Sequence, residues 1–402
     1  MKILYIATSF PPPHKGETIY TDLACALREA GHSVTVVVPE GSSLHTKTLR
    51  LTERGLDVLR VVVGEYYNVS FLKKGITTLK MPFMMKRAVK KELIDMGFDL
   101  VLFESPPVTS SSLVAYCKKL FCCPSFLMLK DIFPQNAVDL GIIKKGSPLH
   151  WYFARQEKRL YAAADTIGCM SKGNREYVLA HNPALSPERV VLFPNTKRIS
   201  PLARPKRFPE RERLGIPAHT RVFLFGGNMG RPQFVDLLCK GVKACKDDEN
   251  IFLLFVGRGT ERGRIQKAIE ESGAKNALLV DNLPRDQYEA LGRECDAGLV
   301  ILNPRFTIPN YPSRILSYME NAIPVLAATD RNTDFKALIE ESGCGIWCWS
   351  GDEEGFVAAL RQLAVMPKEA LEAMGRRGRV YLEEHFDVSR SVRLLEQYAQ
   401  MK

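Results

Sequence analysis

Short, unbroken apolar runs separated by helical patterns limit what this 402-residue chain can fold into. KILYIAT, SVTVVVP, LRVVV, DLVLFE, SFLMLKD and TIGCM occupy the first half; RVFLFGG, IFLLFVG, ALLVDN, AGLVIL, IPVLAAT and CGIWCW occupy the second. Runs that are apolar on both faces and rich in Val, Ile and Leu suit parallel strands covered by helices. Segments such as residues 19–30, closed by Gly31, supply those helices. Residues 196–216 are rich in Pro and Arg and lack a period, which reads as an interdomain linker. The expected architecture is α/β: two doubly wound, Rossmann-like domains facing across a cleft, residues 1–199 and 200–385. Ligands of such folds sit at the carboxyl ends of the strands.

No apolar run reaches about 18 residues, so the sequence offers no membrane-crossing helix. The first apolar stretch is short and broken by Pro11, Pro12 and Pro13, and reads as a strand rather than a leader. Ten cysteines show no metal-ligand spacing, as expected of reduced thiols in a cytosolic protein. The net charge of +11 is unevenly spread. Through Ile199 there are 27 basic and 17 acidic residues, against 29 and 28 in the remainder. The first half therefore calls for an anionic partner: a membrane surface, anionic lipid or nucleic acid.

Within residues 309–324, PNYPSRILSYMENAIP, Pro312 and Ser313 suit a helix start. Free N–H groups there, with the charge of Arg314, would hold a phosphate. Glu320, about two turns on, would accept sugar hydroxyls. Three glycine loops follow strands. The first holds Gly16 and Glu17. FGGNMGRPQ holds Gly227, Asn228, Gly230, Arg231 and Gln233, and VGRG holds Gly257 and Arg258. The first would let backbone approach a ligand closely, the other two would cradle phosphate or ribose, and a structural turn explains each as well. Lys130 and Asp131 end a first-half strand, where Asp131 would orient or deprotonate an acceptor hydroxyl; a helix cap is the alternative.

Residues 71–97 carry seven basic and two acidic side chains. On a helical wheel Met84, Met85, Ala88, Val89 and Leu93 gather on one side. Lys86, Arg87, Lys90 and Lys91 gather on the other, with Phe83. Such a helix would lie on anionic lipid, or pack on a core with a solvated basic face.

These segments in this order resemble the family 4 retaining glycosyltransferases of the GT-B fold. The closest likeness is to bacterial enzymes of O-antigen and capsule assembly that handle N-acetylated amino sugars. The residues carrying it include Gly16, GHSVTVVVP, FESPPVTSS, LKDIFPQNAVDLG, FGGNMG, FVGRG, CDAGLVIL and PSRILSYMENAIPVLA. The resemblance implies transfer from a nucleoside diphosphate sugar, UDP favoured, without a metal or other cofactor. It places the donor on the second domain and the acceptor on the first, with residues 386–402 returning to the first domain. It matches Glu320 to the second glutamate of an E-x7-E pattern, with Pro312 at the first, and leaves Arg314, then Arg231 and Arg258, to neutralise the diphosphate. The implied acceptor is a polyprenyl-diphosphate-linked saccharide on the inner face of the cytoplasmic membrane. A sugar-nucleotide epimerase and a non-catalytic sugar-nucleotide-binding protein are the rival readings. Nucleic acid is disfavoured, because few stacking aromatics interleave the basic stretch.

Overall fold

A computed structural model describes residues 1–44, 46–65, 71–202 and 209–400. Residues 203–208 of the expected linker and the side chains of Lys73 and Lys74 lie outside the described residues. The chain divides into two units: Met1–Arg198 with Val388–Lys402, and Ile199–Asp387.

Unit 1 is built on eight strands: β1 (Lys2–Ile6), β2 (Ser33–Glu40), β3 (Leu49–Glu53), β4 (Leu56–Val62), β5 (Leu100–Ser105), β6 (Ser125–Leu129), β7 (Thr166–Cys169) and β8 (Val190–Leu192). Their order is β3-β4-β2-β1-β5-β6-β7-β8. All neighbours are parallel except β3 and β4. That pair turns through Arg54 and Gly55, both at positive φ (51° and 72°), the two-residue turn whose twist matches a hairpin. The helices are α1 (Ile19–Glu29), α2 (Phe71–Glu92), α3 (Ser111–Phe121), α4 (Gln135–Asp139), α5 (Pro148–Ala163) and α6 (Lys172–His181).

Unit 2 carries β9 (Arg221–Gly226), β10 (Ile251–Val256), β11 (Ala277–Val280), β12 (Ala297–Ile301), β13 (Val325–Thr329) and β14 (Gly345–Trp349). They lie in the order β11-β10-β9-β12-β13-β14, all parallel. Its helices are α7 (Pro209–Arg213), α8 (Val235–Ala244), α9 (Arg262–Ser272), α10 (Arg285–Glu294), α11 (Arg314–Glu320), α12 (Phe335–Ser342), α13 (Glu353–Val365) and α14 (Lys368–His385). The last helix, α15 (Val388–Gln400), belongs to unit 1. Val388, Val392 and Leu395 enter the core formed by β1, β2, β5 and α1. Tyr398 meets Phe126 with ring centroids 5.8 Å apart, and Glu396 bonds His32 at 2.9 Å.

Strand order reverses between β1 and β5 in unit 1 and between β9 and β12 in unit 2. Loops leaving the carboxyl ends of those pairs diverge and open a crevice, the usual ligand position in such sheets. In unit 1 these are the Gly16 loop and the segment after Glu104. In unit 2 they are the FGGNMG loop and the segment leading to Arg314.

Candidate functional site

In unit 2 the loops after β9, β10 and β12 lock together through their backbones. Met229 N–H donates to Arg258 C=O (2.8 Å) and Gly227 N–H to Val256 C=O (2.9 Å). A Cβ on Gly257 would lie 2.0 Å from Gly227 O, and one on Gly259 2.3 Å from Met229 O. These two glycines are thus required by loop-on-loop packing. Asn303, beyond β12, ties to the same assembly through Pro232 and Arg231 carbonyls (2.8 and 3.1 Å). Gln233 accepts from Gly230 N–H (3.2 Å) and from the Asn228 amide (3.4 Å), so the FGGNMG loop is held from within. Gly227, at φ 102°, and Asn228 remain exposed on it.

Arg314 is the cation this arrangement leaves available. Its guanidinium lies 4.4 Å from the centre of the Phe225 ring, and Nη2 reaches Asn228 C=O at 3.5 Å. Nη1 is out of solvent without a hydrogen-bond partner among the described residues. Burial lowers its pKa, against the pull of Tyr318 and Tyr288. Arg258 is committed instead to a two-pronged pair with Asp281 (2.6 and 2.7 Å), which holds the Asp281 carboxyl well below the usual range. Arg231 is exposed, with Glu261 4.0 Å away.

Two expectations for this region change. Ser313 precedes α11, but its side chain makes no capping bond, and α11 is only seven residues long. So short a helix gathers little dipole, and the anion-attracting power rests on Arg314. Glu320, read as a hydroxyl-binding carboxylate, is buried and accepts the Ser200 N–H at 2.8 Å. Six residues beyond Arg314, it points about 120° around the helix from it. Its own carbonyl accepts from Arg379, which also donates to Ser200 C=O (both 2.8 Å). Glu320 therefore fastens the start of unit 2 to α14. Pro312 stays half-buried in the preceding loop.

In unit 1, Lys130 and Asp131 leave β6 beside the end of β5, where Lys130 N–H donates to Ser105 C=O (3.1 Å). Lys130 Nζ donates to Asn195 Oδ1 (2.8 Å), and burial brings its pKa down to about 8. Asp131 Oδ2 accepts from the Asn136 amide. Asp131 Oδ1 and Asn136 Oδ1 are buried without partners among the described residues. Burial pushes the Asp131 carboxyl up to about 6. Such a pair presents two fixed acceptor atoms to any ligand that brings donors.

Glu104, missed by the sequence reading, ends β5 between these groups and the Gly16 loop. It is 3% exposed and accepts from Tyr5 O–H and Thr8 N–H (both 3.1 Å), and Tyr20 hydrogen-bonds to it as well. Burial pushes it up to about 7, against the pull of Lys130. One carboxylate thus ties both ends of the loop carrying Gly16 and Glu17. The middle is held by Arg54, which donates to Pro11 C=O (2.8 Å) and Gly16 C=O (2.7 Å), and by Arg60, which donates to Phe10 C=O (3.0 Å). Arg60 is itself buried between Glu40 and Glu53 (2.6 and 2.7 Å). Gly16 sits at φ 98°, which a side chain would resist, and Glu17 projects into solvent. The signal for Glu104 was present: an acidic residue closing an otherwise apolar strand.

Sequence-family models match both units. One, a glycosyl transferase 4-like domain, takes residues 16–196; the other, glycosyl transferases group 1, takes residues 206–381. Together they span most of the chain. The chain belongs to the family 4 glycosyltransferases.

Among curated relatives of this glycosyltransferase, WbjE of Pseudomonas aeruginosa, named as a glycosyltransferase, is 25% identical over 265 residues. That match takes in 65% of this chain and 64% of WbjE. WcaI of Escherichia coli K12, named for colanic acid biosynthesis, is 24% identical over 400 residues, 92% of this chain and 93% of its own. Solved structures show the same GT-B fold. Anabaena Alr3699/HepE, in complex with UDP and glucose, superposes with a TM-score of 0.72 at 14% identity, over 100% of both chains. WaaG, a glycosyltransferase involved in lipopolysaccharide biosynthesis, gives 0.67 at 16% identity over 100% and 99%.

On α2 of the glycosyltransferase, Met85, Ala88 and Val89 are buried and Met84 half-buried, and Leu93, just past its end, is buried as well. Phe83, Arg87, Lys90 and Lys91 face solvent. Lys86 is half-buried and close enough to Cys117 to act on its thiol electrostatically, so it belongs to the border of the basic face.

Proposed function

We propose that this glycosyltransferase moves a sugar, an N-acetylated amino sugar, from a UDP-linked donor to a lipid-linked saccharide, with retention and without a metal. The observation that carries the donor half is Arg314. A buried guanidinium nitrogen without a partner, beside the exposed Gly227–Asn228 backbone, is what a diphosphate would complete. As the sugar–phosphate bond breaks, charge grows on the leaving diphosphate, and a preorganised cation there lowers the barrier. On the acceptor side Asp131, held by Asn136, orients the incoming hydroxyl, with Lys130 beside it. The departing phosphate oxygen takes up the acceptor's proton in a same-face displacement.

The HepE complex with UDP and glucose supports a UDP-sugar donor, and WcaI's naming supports a role in cell-surface polysaccharide assembly. The lipid-linked acceptor and a position on the inner face of the cytoplasmic membrane rest on the basic excess of unit 1 and on α2. Thermal melts with UDP-, GDP- and dTDP-sugars test the donor, because a ligand bound only by the folded protein raises the melting point. A shift with UDP-N-acetylhexosamines that Arg314→Ala abolishes is the expected result. Equal shifts in wild type and variant would remove Arg314 from the donor site.

A further inference from the structure

Residues 141–159 form a surface that neither donor nor acceptor chemistry uses. Leu140 and Ile143 are buried and anchor it. Ser147 caps α5 by accepting His150 N–H (3.2 Å), and Trp151 Nε1–H donates to Gly146 C=O (3.0 Å), fixing the indole at the start of the helix. Phe153 packs against Phe133 with centroids 4.9 Å apart, so the helix is docked by one face. Around the start of the helix, Ile142 in the preceding loop and Leu149, Trp151 and Tyr152 in the first turns are exposed at 51, 52, 67 and 38%. Four large apolar side chains held in water around one helix start make an apolar tip that wants a partner.

The charges name the partner's chemistry. Lys144, Lys145, Arg155, Lys158 and Arg159 are all exposed. The single acid in the stretch, Glu157, is half-buried, takes the Tyr161 O–H at 2.9 Å, and is pushed up to about 7 by burial. Every fully exposed charge is therefore positive. An apolar tip bearing Trp and Tyr, ringed by cations, matches the headgroup zone of an anionic bilayer, where amphipathic rings and basic side chains are both satisfied. The neighbouring surface repeats the chemistry. α2 packs on α3 and α3 on α5 in one helical layer, and α2 exposes Leu79 and Phe83 among Lys80, Arg87, Lys90 and Lys91, with Ile94 exposed just past its end.

We infer that the amino-terminal turns of α5 and the loop before it are a lipid-contacting anchor, inserting Leu149 and Trp151 among anionic headgroups beside α2. This rests on the membrane-peripheral reading above, which α2 alone would satisfy. The test uses the full chain with vesicles of mixed phosphatidylglycerol and phosphatidylcholine, against phosphatidylcholine alone. Three proteins are compared: wild type, Leu149→Ser with Trp151→Ser, and Lys86→Glu with Arg87→Glu, Lys90→Glu and Lys91→Glu. Because Leu149 and Trp151 face solvent, their variant should melt as wild type does. The expected result is sedimentation of wild type with the anionic vesicles only, and about a tenfold or greater loss of partitioning in the Leu149/Trp151 variant. Undiminished binding of that variant, with loss in the α2 variant, would overturn the α5 anchor and leave the membrane reading standing. Failure of wild type to bind anionic vesicles would overturn both. Concentration-dependent self-association that disappears in the Leu149/Trp151 variant, without vesicle binding, would assign the patch to a second copy of the chain.

Discussion

Arg314 lies face-on to Phe225, its guanidinium carbon 4.4 Å from the ring centre at the carboxyl end of β9. The ring holds the cation by its face and consumes no N–H, so a buried nitrogen is left without a partner. That arrangement fixes the direction of a charge while keeping its hydrogen bonds for a ligand.

Replacing Arg314 with Ala should lower transfer by about a hundredfold or more, the scale of losing one preorganised transition-state donor. Lys at this position restores charge but not the planar stack, and should recover only part of the loss. Steady-state kinetics with a UDP-sugar, alongside melting curves of the unliganded variants, separate lost chemistry from lost fold.

Glu104 and Lys130 should write opposite slopes into the pH dependence of unit 1. The folded Glu104 carboxyl titrates at about 7 against 4.5 as its ordinary value, so the folded state holds the extra proton between those pH values. Its contribution is full below 4.5 and declines as pH rises to 7. Lys130, brought down from 10.5 to about 8, makes stability climb across that upper window. Glu104→Gln should flatten the acid-side decline and raise the melting point at neutral pH relative to wild type. Melting curves of both proteins from acid to alkaline buffer measure it, and an unchanged slope between pH 4.5 and 7 would refute the assignment.

Arg60→Met should cost about 3–5 kcal/mol, because it leaves Glu40 and Glu53 buried without their cation. Adding Glu40→Gln and Glu53→Gln should restore much of that loss in denaturant titrations. The Phe10 carbonyl loses its donor in both variants. A raised KM that persists in the triple variant would therefore show the Gly16 loop shifted even where stability has recovered.

Leu395→Ala, at a fully buried position of α15, should cost about 2–5 kcal/mol. The damage should fall on unit 1 although the residue lies after unit 2 in sequence. Calorimetry should show one transition lowered and the other unmoved.

The strands were readable because central parallel strands are apolar on both faces, a pattern that helices and loops seldom imitate. The edge strand β3 was not, since LRLTE is polar and its side chains are mostly exposed. Glu320 misled because its place along α11 was counted while its direction around the axis was not. Glu104 needs Thr8, Tyr20 and Lys130 to acquire its role, and those residues meet only after the sheet has formed. In α5 the aromatic run HWYF looks like a core stripe, and only exposure shows that Trp151 is left outside.

The return of α15 makes unit 2 an insertion within unit 1. On a ribosome, the core of β1, β2 and β5 emerges early but lacks Val388, Val392 and Leu395 until unit 2 has been made. The unit synthesised first is thus the last to be finished. Through that interval its open apolar seam must be sheltered, and unit 2 alone can fold as an uninterrupted stretch of chain.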